Sequence, residues 1–431
     1  MNYKRIGDYI ELVDERNKDL QITTLLGLSI SKQFIPSVAN TIGTNMKNYK
    51  IVRKNQFACS VMQVRRDGKM PVALLKEFDE AIISQAYPVF QVIDETELLP
   101  EYLMMWFMRS EFDREATFHA VGGVRGSLEW EGFLDFELPI PSIEKQRQIV
   151  AEYNTVTNRI NLNNQFNQKL EATAQALYKH WFVDFEFPID LCQSELVEDQ
   201  KIDYSKGYKS NGGEMVYNEE LDKDIPVGWS VEKFDKFIDV VNGFAFKSAD
   251  FKTKGKHPIL KIKNITPPII SLAESQFYND NITLSLEQKK VFFGDILISM
   301  TGSGANQMNS AVGQIGRYYS REVSLLNQRV GKLNIKEKKH TEYVYHFIKD
   351  EDTQKELLNG STGSANQANI SPDQIKNLKL IDPNNNVMDK FQELMGAIFK
   401  VKRVQNQDVL FRTKDLLLAK MTQQAPKLQT V

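Results

Sequence analysis

Cysteine is nearly absent from this sequence of 431 residues, which holds only Cys59 and Cys192. Two thiols cannot build a disulfide framework or a cysteine-rich zinc site, and such sparing use fits a reducing compartment. Histidine is scarce too, with five in all (His119, His180, His257, His340 and His346). None sits in an H-E-x-x-H arrangement, which would place two imidazoles on one helical face around a metal. No run of about 18 apolar residues occurs, and the opening MNYKRIGDYIELVDER has no apolar core of a secretory leader, so the expected location is the cytoplasm, with no membrane partner. The phosphate cradle G-x-x-x-x-G-K-[ST] is missing: Gly302-Ser303-Gly304 has neither the lysine nor a helix after it. Thr266-Pro267-Pro268-Ile269 lacks the amide or carboxylate and the aromatic that amino-methyltransferases use to hold a flipped base. With 26% of residues charged, acidic pairs such as Asp184 and Glu186 arise from composition alone. The sequence offers no catalytic centre and no metal site.

Hydrophobic residues make up 42% of the chain, enough for cores, and the length suits roughly two to four domains. The formal net charge is −2. It is unevenly spread: residues 183–224 carry 12 acidic and 4 basic side chains, so the rest is mildly basic. A neutral total therefore does not exclude a nucleic-acid binder, whose footprint is local and basic.

The chain repeats itself once. Pro100-Glu101-Tyr102-Leu103 matches Thr341-Glu342-Tyr343-Val344 at an offset of 241, and Gln56-Phe57-Ala58-Cys59-Ser60 matches Asp295-Ile296-Leu297-Ile298-Ser299 at 239. Gln85 matches Gln328 at 243, and Asp135–Pro141 matches Asn377–Pro383 at 242. Each copy reads as a mixed, strand-rich α+β domain followed by a long helix. The expected boundaries are a first domain at 1–142, a helix and junction at 143–189, a linker at 190–227, a second domain at 228–383, a C-terminal helix at 384–424 and a tail at 425–431, with Ile225-Pro226-Val227-Gly228-Trp229 read as an ordered entry into the second domain.

Along the first helix, Ile149, Tyr153, Val156, Ile160, Asn163, Asn167, Leu170, Ala174 and Leu177 recur at intervals of three and four, the seam of a coiled coil. The second repeats the pattern with Phe391, Leu394, Ile398, Val401 and Gln405. Amides at mid-seam fix register, because a mispaired amide would be buried unsatisfied. The two helices are expected to pair as an antiparallel coiled coil; the alternative is that each packs on its own domain. A helix of about 38 residues is about 57 Å long. The aromatic run from Tyr178 to Phe187 reads as a packed junction rather than a base-stacking surface.

Polar glycine-rich loops occupy matching places: AVGGVRGSLEW at 120–130 against NGSTGSANQAN at 359–369, and 62–69 against TGSGANQMNSAVGQ at 301–314. Glycine lets backbone approach a sugar-phosphate chain closely, and amides, hydroxyls and arginine can read base edges. The plainer alternative is surface turn chemistry. On this reading the candidate DNA contacts are Arg65, Arg66, Lys69 and Arg125 in the first half. In the second half they are Lys247, Lys261, Lys263, Ser303, Asn306, Gln307, Arg317, Asn366 and Gln367.

One block gathers Leu138-Pro139-Ile140-Pro141-x-x-Glu144-x-Gln146-x-x-Ile149 and Asn163-Asn164. It continues with Leu170-Glu171-x-x-Ala174-Gln175-Ala176-Leu177-Tyr178-Lys179-x-Trp181-Phe182-Val183-Asp184-Phe185. The whole closely resembles the central conserved region of specificity subunits of type I restriction-modification systems. Ile225-Pro226-x-Gly228-Trp229, Asn327-Gln328-Arg329-Val330, Gly363–Ser371 and Leu416-Leu417-Leu418-Ala419-Lys420 resemble later motifs of that family. The first half departs from the pattern at Ile6-Gly7-Asp8, without a Pro-x-Gly-Trp lead, and at Gly123–Ser127, where the usual glutamine is missing. The resemblance implies two target-recognition domains in pseudo-repeat, separated by two long helices and reading a bipartite, asymmetric site in double-stranded DNA. It implies a non-catalytic chain, without a cofactor of its own, that docks two methyltransferase subunits and two endonuclease/translocase subunits. S-adenosylmethionine would belong to the former partners, ATP and magnesium to the latter. A stand-alone methyltransferase or endonuclease, and a coiled-coil scaffold without DNA readout, are the alternatives.

Overall fold

One helix, Ile143–Phe182, runs through the region of three-four apolar spacing. Neither proline nor glycine interrupts it. It ends where the amides of Val183 and Asp184 both bond to the Lys179 carbonyl and Phe185 turns to a φ of 63°. The computed structural model describes residues 3–37, 43–62, 64–123, 126–189, 203, 205–272, 275–303, 311–364, 367–383, 385–404 and 407–422. Two compact units emerge, residues 1–162 with 407–431 (unit 1) and residues 163–406 (unit 2), so the boundary falls inside this helix.

Unit 1 has an antiparallel sheet in the order Ile10–Val13, Val89–Val92, Phe57–Cys59, Val72–Leu74. Strand Tyr3–Arg5 pairs with Glu137–Pro139. Helices Pro100–Phe107, Ser110–His119 and Trp130–Leu134 follow the sheet in sequence. Phe57 and Phe90 stack at 4.9 Å, with Phe107, Phe112 and Phe133 around them, all fully or nearly fully buried.

Unit 2 repeats this plan. Its sheet runs Ile238–Asn242, Val330–Ile335, Ile296–Ser299, Ile315–Arg317, extended by Ile269–Ile270 and Ile265–Thr266. Strand Ser230–Lys233 pairs with Lys379–Asp382, and helices Thr341–Lys349, Glu351–Asn359 and Pro372–Lys376 correspond to the three of unit 1. The equivalence reaches single atoms. A buried tyrosine must find a partner for its hydroxyl; Tyr102 donates to the Pro139 carbonyl at 2.9 Å, and Tyr343 donates to that of Ile381. Helix N-termini carry orphan amides. A glutamine of the following long helix serves such an amide in each unit, from positions one turn apart: the Gln146 Oε1 accepts from the Leu99 amide at 2.9 Å, and the Gln392 Oε1 accepts from the Glu342 amide at 3.0 Å.

Helix pairing occurs in each unit. In unit 1, Tyr153 packs in one cluster with Leu418 and Met421, and the Lys414 ammonium lies 5.7 Å from its ring centroid, on helix Gln407–Lys420. In unit 2, Tyr178 and Trp181 meet Phe391 near the start of helix Asn385–Val404. The late end of one helix meets the early end of the other, the antiparallel sense. Tyr153, Ile160, Asn163, Ala174 and Phe391 are buried, and Ile149, Val156, Asn167, Leu170, Leu177 and Ile398 are half-buried. Two expected seam positions are corrected: Leu394 and Val401 are exposed, and Met395 is buried instead. Helix Asn385–Val404 must cover the aromatic core of its domain as well as a helix, which takes a stripe of 3.6-residue period rather than a heptad seam. Gln405 lies outside the described residues.

The expected linker at 190–227 is also corrected over residues 205–224, while the ordered entry expected from Ile225 is present. Phe187 stacks between Tyr208 (4.8 Å) and Trp229 (4.9 Å), Met215–Asn218 pairs with Lys223–Pro226, and Ile225 is buried. Scattered apolar side chains in a polar, acidic stretch are enough to seat a short hairpin on the core.

Candidate nucleic-acid interface

The glycine-rich loops, separate in sequence, meet in pairs. In unit 2, Thr301–Gly302 leaves the end of strand Ile296–Ser299 and pairs with Gln367–Asn369, which pairs in turn with Thr362–Ser364. The Thr301 hydroxyl donates to Asn369 Oδ1 at 2.9 Å, and the Ile370 amide to the Met300 carbonyl at 2.9 Å. In unit 1 the corresponding bond runs from the Leu128 amide to the Val61 carbonyl, also at 2.9 Å. There the helical turn Val64–Asp67 meets Gly126 of the other loop through a bond from the Arg65 amide to the Gly126 carbonyl at 3.1 Å. Both units therefore bring two polar loops together beyond equivalent strands, Phe57–Cys59 and Ile296–Ser299.

The candidate contacts divide by what the fold does with them. Arg65 is exposed, but its guanidinium donates to the carbonyls of Gly122, at 2.8 Å, and of Ala120. Arg66 is exposed and pairs with its neighbour Asp67 at 2.6 Å, and Lys69 is half-buried. Ser303 is half-buried and Gln367 exposed, both on the paired loops. Lys261 and Lys263 stand elsewhere, after strand His257–Leu260 of a separate four-stranded sheet. Lys261 Nζ donates to Gln276 Oε1 at 2.5 Å and lies 3.7 Å from the Phe251 centroid, while Lys247 and Lys263 are exposed. Burial, then the charge of Lys263, pushes the Lys261 ammonium below its ordinary pKa. Arg125, Asn306, Gln307 and Asn366 lie outside the described residues.

Arg317 is not a DNA contact. It is 2% exposed and makes a two-pronged ion pair with Glu342, at 2.8 and 3.0 Å, between the rings of Tyr345 and Phe399. A cation so enclosed has no face left for a phosphate. Phe118, which the sequence reading did not single out, is 80% exposed at the end of helix Ser110–His119, two residues before Ala120. An aromatic on the polar face of that helix was the available signal.

Among the described residues, no helix is long and apolar enough to cross a membrane, and no cluster of three or more His, Cys, Asp or Glu could hold a metal ion. Residues 14–172 and 226–401 each match the family model described as the type I restriction modification DNA specificity domain. The MjaIX type I restriction enzyme specificity subunit of Methanocaldococcus jannaschii is 24% identical over 335 residues, covering 77% of this chain and 70% of that protein. The HindI specificity subunit of Haemophilus influenzae is 21% identical over 429 residues, covering 86% of each. The solved S subunit of a type I restriction-modification system from M. genitalium aligns over 98% of this chain and 96% of its own, at 13% identity and a TM-score of 0.48.

Proposed function

The chain belongs to the type I restriction modification DNA specificity family, and from that premise we propose that it is the DNA-reading, non-catalytic subunit of a cytoplasmic methylation and restriction complex. The observation that carries this reading is the paired loops, built twice on one plan but with different side chains. Unit 1 presents Arg66, Lys69 and residues 120–123 and 126–127; unit 2 presents Thr301–Ser303 and Gln367–Asn369. Two unlike surfaces suit a bipartite, asymmetric site in double-stranded DNA, one half read by each. The paired helices dock two methyltransferase subunits, which bring S-adenosylmethionine, and two endonuclease/translocase subunits use ATP and magnesium.

The test is a gel shift and a methylation assay with the full chain and its methyltransferase subunit, at stated salt because phosphate contacts are counterion-dependent. The expected result is a sequence-preferring complex and adenine methylation within a split motif. A complex without sequence preference favours a scaffold, and methylation by the chain alone favours an enzyme.

A further inference from the structure

We propose that Arg65 is a positioning residue for sequence readout by unit 1: it fastens the two described sides of a glycine-rich loop, residues 120–123 and 126–127, and does not itself grip phosphate. The proposal rests on the DNA-reading role above. The guanidinium fork reaches two carbonyls of one tight turn, Ala120 and Gly122. Gly122 has a φ of 100°, in the left-handed region that favours glycine. From the other side of the loop the Gly126 carbonyl accepts the Arg65 amide at 3.1 Å. Gly126 also lets the loop close on the arginine stem: a Cβ there would stand 3.0 Å from the Val121 oxygen and 3.2 Å from the Arg65 Cβ.

The comparison within the molecule shows what this arrangement replaces. In unit 2 the equivalent loops are fastened by main-chain pairing of Thr301–Gly302, Gln367–Asn369 and Thr362–Ser364. In unit 1 residues 120–123 and 126–127 are joined to each other by the bridge Val121–Ser127 and by a bond from the Gly126 amide to the Gly123 carbonyl at 2.9 Å, and among the described residues they form no strand pairing with the other loop. One side chain and one amide of Arg65 thus do for unit 1 what a small sheet does for unit 2. A planar fork can bond two carbonyls at fixed spacing, whereas a lysine ammonium is a point charge that loses the fork but keeps the charge on which the salt dependence of a phosphate contact rests. The two roles are therefore separable.

The experiment measures methylation of duplexes randomised in both half-sites by the full chain with its methyltransferase subunit, for Arg65→Ala, Arg65→Lys, Gly126→Ala and the Arg65→Ala/Gly126→Ala double. Affinity is measured against salt for each. Arg65→Ala and Arg65→Lys should both lose about tenfold in discrimination at one half-site only, with the salt slope unchanged. Gly126→Ala should do the same while keeping the arginine, and the double should be no worse than either single. Should Arg65→Ala fail to fold, Gly126→Ala and Arg65→Lys decide. The proposal is overturned if Arg65→Lys stays as selective as the parent while Arg65→Ala weakens on all sequences with a slope shallower by about 0.9, which marks a phosphate contact. It is equally overturned if every variant keeps full selectivity. A parent complex that selects no sequence at all would instead remove the DNA-reading role, and this inference with it.

Discussion

Arg317 and Glu342 join three elements of unit 2: strand Ile315–Arg317, helix Thr341–Lys349 and, through the Phe399 ring, helix Asn385–Val404. Burial opposes the guanidinium charge, yet the charge and hydrogen bonds of Glu342 outweigh it and push the Arg317 pKa up. Removing one member leaves the other charged and enclosed. Glu342→Gln is expected to cost about 3–5 kcal/mol, and Arg317→Met with Glu342→Leu to recover most of it; urea unfolding midpoints of the full chain check both. This pair also marks the limit of reading cations from sequence. Arg317 and the Lys261 ammonium, which sits over a ring, look like surface charges because their partners lie in other elements. By contrast, Tyr102 and Tyr343 were legible, since the motif around them repeats at an offset of 241 and the carbonyls they bond at 242.

The long helix was legible for a simple reason: apolar spacing of three and four residues reports burial along one face whatever it packs against. What the spacing left open was how wide a face the second helix buries, so Leu394 stood where Met395 does. Helix Gln407–Lys420 supplies Leu418 to the core of unit 1, and Met421 follows just beyond it. Deleting residues 407–431 should strip those two side chains from Tyr153. At about 2–5 kcal/mol for each buried Leu or Met lost, unit 1 should be cleaved first in limited proteolysis while unit 2 keeps its protection. Equal protection of both units would show that this helix adds nothing to the core of unit 1.

At the scale of the molecule, the second domain is closed by its own first and last strands, Ser230–Lys233 against Lys379–Asp382. A cassette spanning residues 228–383 is cut outside that pair and leaves it intact. Exchanging it for the equivalent from another family member should change one half of the methylated motif and leave the other; sequencing methylated DNA from a host carrying the hybrid reads this directly, and a change in both halves would contradict modular reading. The division into units has one more consequence, in the order of synthesis. Unit 2 is one continuous stretch, 163–406, whereas unit 1 draws on 1–162 and then on 407–431, which supplies Leu418 and Met421. A chain emerging from the ribosome at about 5–20 residues per second finishes the second domain before the first can close. For some tens of seconds Tyr153 and its neighbours wait without Leu418 and Met421, and nascent unit 1 is the part that a chaperone would meet.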